Sequence, residues 1–274
     1  MDNWLLDILK RLWELFFPKP TGILPTVSGG DEVFTPSVAM DGNWQTYLSQ
    51  PFEGQFQHGF DELDCVSQSG VHAIEAVLNY FYKNNLFPSN GSFKELLEKG
   101  GYINDQGFVE LSVPYIARLA GTTHQGLAMD KFWQTVNTCG LVPKKVWNKD
   151  NATTWEEYYA DIPVDVKAAG QDFAKIFQWN WKVIKNDAWD APIIADLKNA
   201  LYHSPIHFAS ELGTHDFDGI DRPTGKKTYA HARTIFRVDD YIEILDQYQY
   251  PSFLHRLSLD FPIACAIVCS LKIT

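Results

Sequence analysis

With 274 residues, 45% of them hydrophobic and 14% aromatic, the chain can bury one large core or two lobes. Its formal net charge of −11, with no cluster of Lys and Arg, argues against binding a nucleic-acid backbone, where cations must neutralise phosphates. Four cysteines, at positions 65, 139, 265 and 269, do not make the framework of a disulfide-stapled domain, and they fit a reducing compartment.

The first predicted element runs from Asn3 to Phe17, a strongly apolar helix stopped by Pro18-Lys19-Pro20. A membrane span needs about 20 mostly apolar residues. Asp7, Lys10, Arg11 and Glu14 interrupt this shorter stretch, and Asp2 stands where a signal peptide would carry positive charge. Three readings stay open: a helix packed on its own folded domain, a docking helix for a partner or assembly, and an interfacial membrane anchor. Docking is placed first and membrane contact last. Pro18 to Pro36 is rich in Pro, Gly, Ser and Thr and reads as a linker. The expected organisation is an amphipathic docking helix over 1–20, a linker over 21–50 and one folded domain over 51–274.

The segment from Asp64 to Leu78 reads as a helix with a thiol, Cys65, in its first turn and Asp64 as its N-cap. Val66, Gly70, Ala73, Val77 and Phe81 follow helical spacing and predict one buried face. A thiol at the positive end of a helix macrodipole favours the thiolate. Further helices are expected at Ser92–Lys99, Leu111–Ala120, Met129–Cys139, Trp155–Tyr159, Val164–Phe177 and Ile193–Tyr202, followed by a strand at Ile206–Glu211. The helical lobe covers about 64–180 and the β lobe about 190–274, an α+β arrangement with a cleft between lobes. His203 and His207 flank Ser204-Pro205. The run from His215 to Asp221 looks like an oxygen-rich metal loop, but its spacing fails the calcium pattern and reads as a polar, turn-rich loop. No metal or cofactor is expected.

Two runs near the C-terminus predict a hairpin: Tyr229 to Val238, then Tyr241 to Asp246, turned by Asp239-Asp240. A two-residue turn pairs Val238 with Tyr241, Ile235 with Ile244, Arg233 with Asp246 and His231 with Tyr248. His231 and Asp246 then share a sheet face as diagonal neighbours, while a three-residue turn would shift the register and separate them. A thiolate needs an adjacent base and the base needs an orienting group, so Cys65, His231 and Asp246 form a candidate catalytic set. Cys265 and Cys269 lie in an apolar C-terminal strand, about 13 Å apart and too far for a bridge.

At these residues the chain resembles the papain-like cysteine peptidases: a cysteine opening a long helix, His231-Ala232 entering a strand, and an acid at the end of the next strand. The likeness extends from about Phe52 to the C-terminus and is closest to divergent members encoded by bacteriophages and environmental sequences. It is carried by Glu53-Gly54-Gln55 ahead of Asp64-Cys65-Val66-Ser67, by Ala73-Ile74-Glu75, Leu119-Ala120-Gly121-Thr122-Thr123, Cys139-Gly140-Leu141-Val142-Pro143, and Thr154-Trp155-Glu156-Glu157-Tyr158-Tyr159. The resemblance implies a two-lobed fold with Cys65 as nucleophile, His231 as general base and acid, and Asp246 as orienter. Papain places an aromatic after the nucleophile, where this chain has Val66. It follows its orienting Asn with Ser-Trp-Gly, where this chain has Asp246-Gln247-Tyr248, so substrate subsites do not transfer. The oxyanion glutamine, usually six residues before the cysteine, falls here on Gly59, and Gln55 takes that role with Gln57 as the alternative.

The expected function is amide hydrolysis of a peptide or protein substrate through an acyl-enzyme. The alternatives are a virion or assembly component that uses the fold as a binding module, and a cell-wall peptide hydrolase. The expected location is the host cytoplasm or the virion. About fifty residues precede the cleft segment, short for the inhibitory pro-domain of secreted relatives, though the tether could still block the cleft.

Overall fold

The computed structural model describes residues 41–272 apart from 53, 56–57, 89–90, 212, 216–217, 226–230 and 249–251, together with the strand β1 (Ile23–Leu24). The helix expected at Asn3–Phe17 and the alternative glutamine Gln57 lie outside the described residues. No helix among the described residues is long and apolar enough to cross a membrane.

The first lobe is organised around helix α1 (Cys65–Lys83). Periodicity predicts one buried face, but every residue from Cys65 to Asn79 is buried, so α1 runs through the centre of the molecule. Its buried Asn79 and Glu75 anchor surrounding chain, and those hydrogen bonds offset their burial. Asn79 Nδ2 donates to Tyr47 O at 2.9 Å while its Oδ1 accepts from Val109 N at 2.7 Å, and Glu75 Oε1 accepts from Leu111 N at 2.7 Å. Around α1 pack α2 (Ser92–Lys99), α3 (Val113–Ala120), α4 (Met129–Cys139), α5 (Trp155–Tyr158) and α6 (Val164–Ile176). The strand β2 (Leu127–Ala128) leads into α4 and pairs in parallel with β1. Gly140 ends α4 at φ +67°. Any Cβ there would lie 1.8 Å from Gly170 O, so glycine is needed both for the turn and for the approach of α6.

The second lobe is an eight-stranded sheet in the order β3-β10-β4-β7-β8-β9-β6-β5. Its strands are β3 (Gln178–Asp190), β4 (Ile206–Ser210), β5 (Thr214–His215), β6 (Ile220–Arg222), β7 (His231–Val238), β8 (Ile242–Leu245), β9 (Leu254–Leu257) and β10 (Ile263–Lys272), with helix α7 (Ile194–Leu201) between β3 and β4. All its pairings are antiparallel except β6 with β9, so the sheet is mixed. The stretch expected as a plain polar loop contributes β5 and β6 to the sheet edge. Cys265 and Cys269 are buried in β10, and all four cysteines are free thiols.

The lobes meet where β7 lies on α1. Thr234 Oγ1 on β7 donates to Ser69 O on α1 at 2.9 Å, and Ser69 Oγ donates back to Cys65 O at 2.6 Å. His231 at the start of β7 and Cys65 at the start of α1 are thereby brought to the same end of the interface.

Candidate active site

The hairpin reaches the expected register by an unexpected route. The turn takes three residues, since Val238 pairs with Ile242 and Arg237 with Glu243. That alone would shift His231 off Asp246. A bulge at Phe236 adds one residue to β7 and restores the pairing of Ile235 with Ile244 and Thr234 with Leu245. Beyond Leu245 the chain turns, with Asp246 N donating to Phe253 O at 2.8 Å. His231 Nε2 and Asp246 Oδ1 then lie 2.7 Å apart, the imidazole fully buried and the carboxylate 4% exposed. Burial alone would raise the Asp246 carboxyl. The His231 charge and hydrogen bond, Arg233 and the Tyr248 N–H outweigh it and hold that carboxyl well below the usual range.

His231 Nδ1 makes no hydrogen bond. The ring is covered by Tyr248, whose centroid is 4.4 Å away at 34°. Tyr248 Oη donates to Asp61 Oδ2 at 3.1 Å. The ring thus shields the His231–Asp246 hydrogen bond from water, which strengthens it. Tyr248 was not singled out in the sequence, although its predicted pairing with His231 carried the signal.

Cys65 is 1% exposed. Burial pushes its thiol up; the Ala232 peptide N–H works the other way, and the nearby Asp64 and Asp61 add to the rise. The macrodipole expectation of a depressed pKa is therefore overturned at rest, because desolvation and two carboxylates outweigh the helix terminus. The peptide N–H of Ala232, the residue after His231, faces the Cys65 sulfur.

Asp64 stands at the N-cap position of α1, and its carbonyl accepts from Gln68 N at 2.9 Å. Its side chain does not cap. Instead Asp64 Oδ2 accepts from Tyr158 Oη at 2.5 Å, a correction to the expected cap. Leu63, two residues before the cysteine, has φ +54°, a left-handed conformation unfavourable for a branched side chain. It is held there in part by its N–H donating to Asp61 Oδ1 at 3.0 Å.

Gln55 is 2% exposed and runs beside the residue after Asp246, its N–H donating to Gln247 O at 3.0 Å. Its Nε2 donates to Asp61 Oδ1 at 2.7 Å, so the amide is occupied internally. Asp61 carried no sequence signal, because a carboxylate in a polar loop reads as solvated. Among the described residues no group of three metal-ligating side chains could hold a metal ion. In the former metal-like loop, Asp218 pairs with Arg222 at 2.6 Å and Asp221 faces Arg233 and His255.

No family model matches the sequence, and no curated protein matches it. Solved structures do. Xylellain, a cysteine protease from Xylella fastidiosa, superposes with a TM-score of 0.55 over 93% of this chain and 97% of its own, at 12% identity. The digestive procathepsin L 3 of the Tenebrio molitor larval midgut superposes with a TM-score of 0.50 over 96% of this chain and 79% of its own, also at 12% identity. At such identity the likeness concerns the fold. The chain has the two-lobed α+β fold of the papain-like cysteine proteases.

Proposed function

We propose that this protein is a thiol hydrolase of amide bonds, with Cys65 as nucleophile, His231 as general base and acid, Asp246 as orienter and Gln55 as oxyanion donor. The contact of His231 Nε2 with Asp246 Oδ1 at 2.7 Å carries this reading. An imidazole that donates from Nε2 to a carboxylate presents Nδ1 as a lone-pair acceptor. Since burial keeps the thiol protonated at rest, Nδ1 takes its proton as sulfur attacks the carbonyl carbon. The C–N bond breaks as Nδ1 returns that proton to the leaving amine. Water, deprotonated by the same nitrogen, then hydrolyses the thioester to acid and free thiol. The oxyanion is met by the Cys65 N–H at the start of α1 and by Gln55 Nε2 once it turns from Asp61.

A peptide or protein is the substrate class this reading favours. Incubating the protein and its Cys65→Ala variant with an unfolded protein and with purified peptidoglycan tests it. New peptide termini from the wild type alone are expected, together with an acyl adduct on Cys65. Equal cleavage by the variant, or no cleavage of either material by the wild type, would contradict it.

A further inference from the structure

Asp246 bears a full charge in a place sealed from water, and such a charge is costly unless a counter-charge and hydrogen bonds accompany it. Arg233 lies two residues beyond His231 on β7, and strand alternation puts both side chains on one face. Its side chain is 1% exposed, with Nη1 3.5 Å from Asp246 Oδ2 and 4.0 Å from Asp221 Oδ2. Nη2 donates to Ser210 Oγ and, at 2.8 Å, to Glu211 O. Phe208 and Phe261 flank the guanidinium, with centroids 5.4 and 5.5 Å from Cζ. The cation is therefore fixed by strands and rings independently of Asp246. It is also far from a surface salt bridge, whose partners are free to leave.

We propose that Arg233 is a positioning residue that holds Asp246 as an anion and engages its second oxygen, leaving Oδ1 committed to His231. Oδ1 accepts from His231 Nε2 and from Tyr248 N at 2.9 Å, so Oδ2 is the atom left to face a cation. When His231 surrenders its proton during turnover, the imidazolium partner disappears, and Arg233 is the cation that keeps Asp246 charged and the Nε2–H tautomer in place. The buried groups around Asp246 are His231, Arg233 and Tyr248, and Asp221 links Arg233 to His255 at 3.5 Å. An orienter that is a neutral amide would need no such cation. The sequence carries the aspartate and the arginine together.

This inference rests on the hydrolase reading, and the test separates the two. The variants are Arg233→Met, Asp246→Asn and the double variant, read by urea denaturation and by the pH dependence of Cys65 alkylation with iodoacetamide. Arg233→Met is expected to lower stability and to move the alkylation profile by about one pH unit or more. Adding Asp246→Asn to it should recover most of the lost stability, because the charge that needed balancing is gone. A folded Arg233→Met with an unchanged profile overturns the proposal. So does a double variant no more stable than Arg233→Met alone, or one that fails to fold. A wild type whose Cys65 shows the profile of an ordinary thiol counts against the hydrolase reading, and the stability rescue then decides the role of Arg233.

Discussion

Stability should fall as pH rises from about 6.5 to 8, because two carboxyls just ahead of Cys65 are buried in their neutral form. Glu62 and Asp64 are 1% and 2% exposed, and burial pushes both up to about 8, against about 4 in an unfolded chain. Each therefore keeps, in the native state, a proton that the unfolded chain has released. The linkage relation gives a slope of about −1.4 kcal/mol per pH unit for each group between those two values. His58 Nδ1 lies 2.5 Å from Glu62 Oε1. Below pH 6.5 the slope is opposed. Burial pulls His72 and His207 down to about 4 and 3, so the unfolded chain gains protons there that the native state refuses. At pH 6.5 those histidines are still about half protonated in the unfolded chain and offset part of the slope; by about pH 7.5 they are neutral in both states and the carboxyls act without them. His255, raised by Asp221 and Asp246 against its burial, loses stabilisation in the same direction. Between pH 6.5 and 8 the loss comes to about 2 kcal/mol for one carboxyl and about 4 kcal/mol if both release fully. Urea midpoints followed by tryptophan fluorescence at several pH values measure it, and Glu62→Gln should remove roughly half the slope. A midpoint that is flat or rises over this range would refute the reasoning.

Gly70→Ala should destabilise the protein by about 1–3 kcal/mol in urea denaturation. A Cβ there would meet Phe132 Cε1 at 2.3 Å where α1 and α4 touch. Gln55→Ala should lower kcat on an unfolded-protein substrate by about 10²-fold, and an unchanged kcat would remove Gln55 from the oxyanion role. Tyr248→Phe keeps the ring over His231 and should preserve the pH profile of Cys65 alkylation. Tyr248→Ala, which opens the His231–Asp246 hydrogen bond to water, should shift it, and identical profiles for the two would contradict the shielding role.

Much of the fold was legible because its helices carry apolar spacing and clear stops. Ser92–Lys99 and Met129–Cys139 occur at the expected bounds, α1 runs five residues past the expected Leu78 to Lys83, and the remaining described helices deviate by one or two residues at their ends. The strand β3 was not anticipated, although Trp179, Trp181 and Val183 alternate at period two. Interleaved Lys182, Lys185 and Asn180 gave it the polarity of a loop. The proximity of His231 and Asp246 followed from pairing rules, yet the turn was misjudged, and a bulge that no local pattern announces corrected the register. The buried neutral acids Glu62 and Asp64 and the position of Asp61 beside Gln55 were beyond reach. Nothing in a run of acidic residues marks which will be enclosed, since enclosure comes from Tyr158 and His58 arriving from elsewhere in the chain. The same holds for the thiol: its place at a helix start was readable, but the desolvation that overrides the macrodipole was not.

The most direct test of the central claim is the alkylation of Cys65 by iodoacetamide near pH 6.5, mapped by peptide mass on the folded wild type and on His231→Ala. An ordinary thiol is only about 1% ionised there. Because burial keeps the thiol protonated, the account predicts labelling of Cys65 that proceeds through proton transfer to His231 and is lost when the imidazole is removed. Labelling of Cys65 at the same rate in both proteins would show that His231 does not take its proton, and the assignment of a catalytic pair would fall.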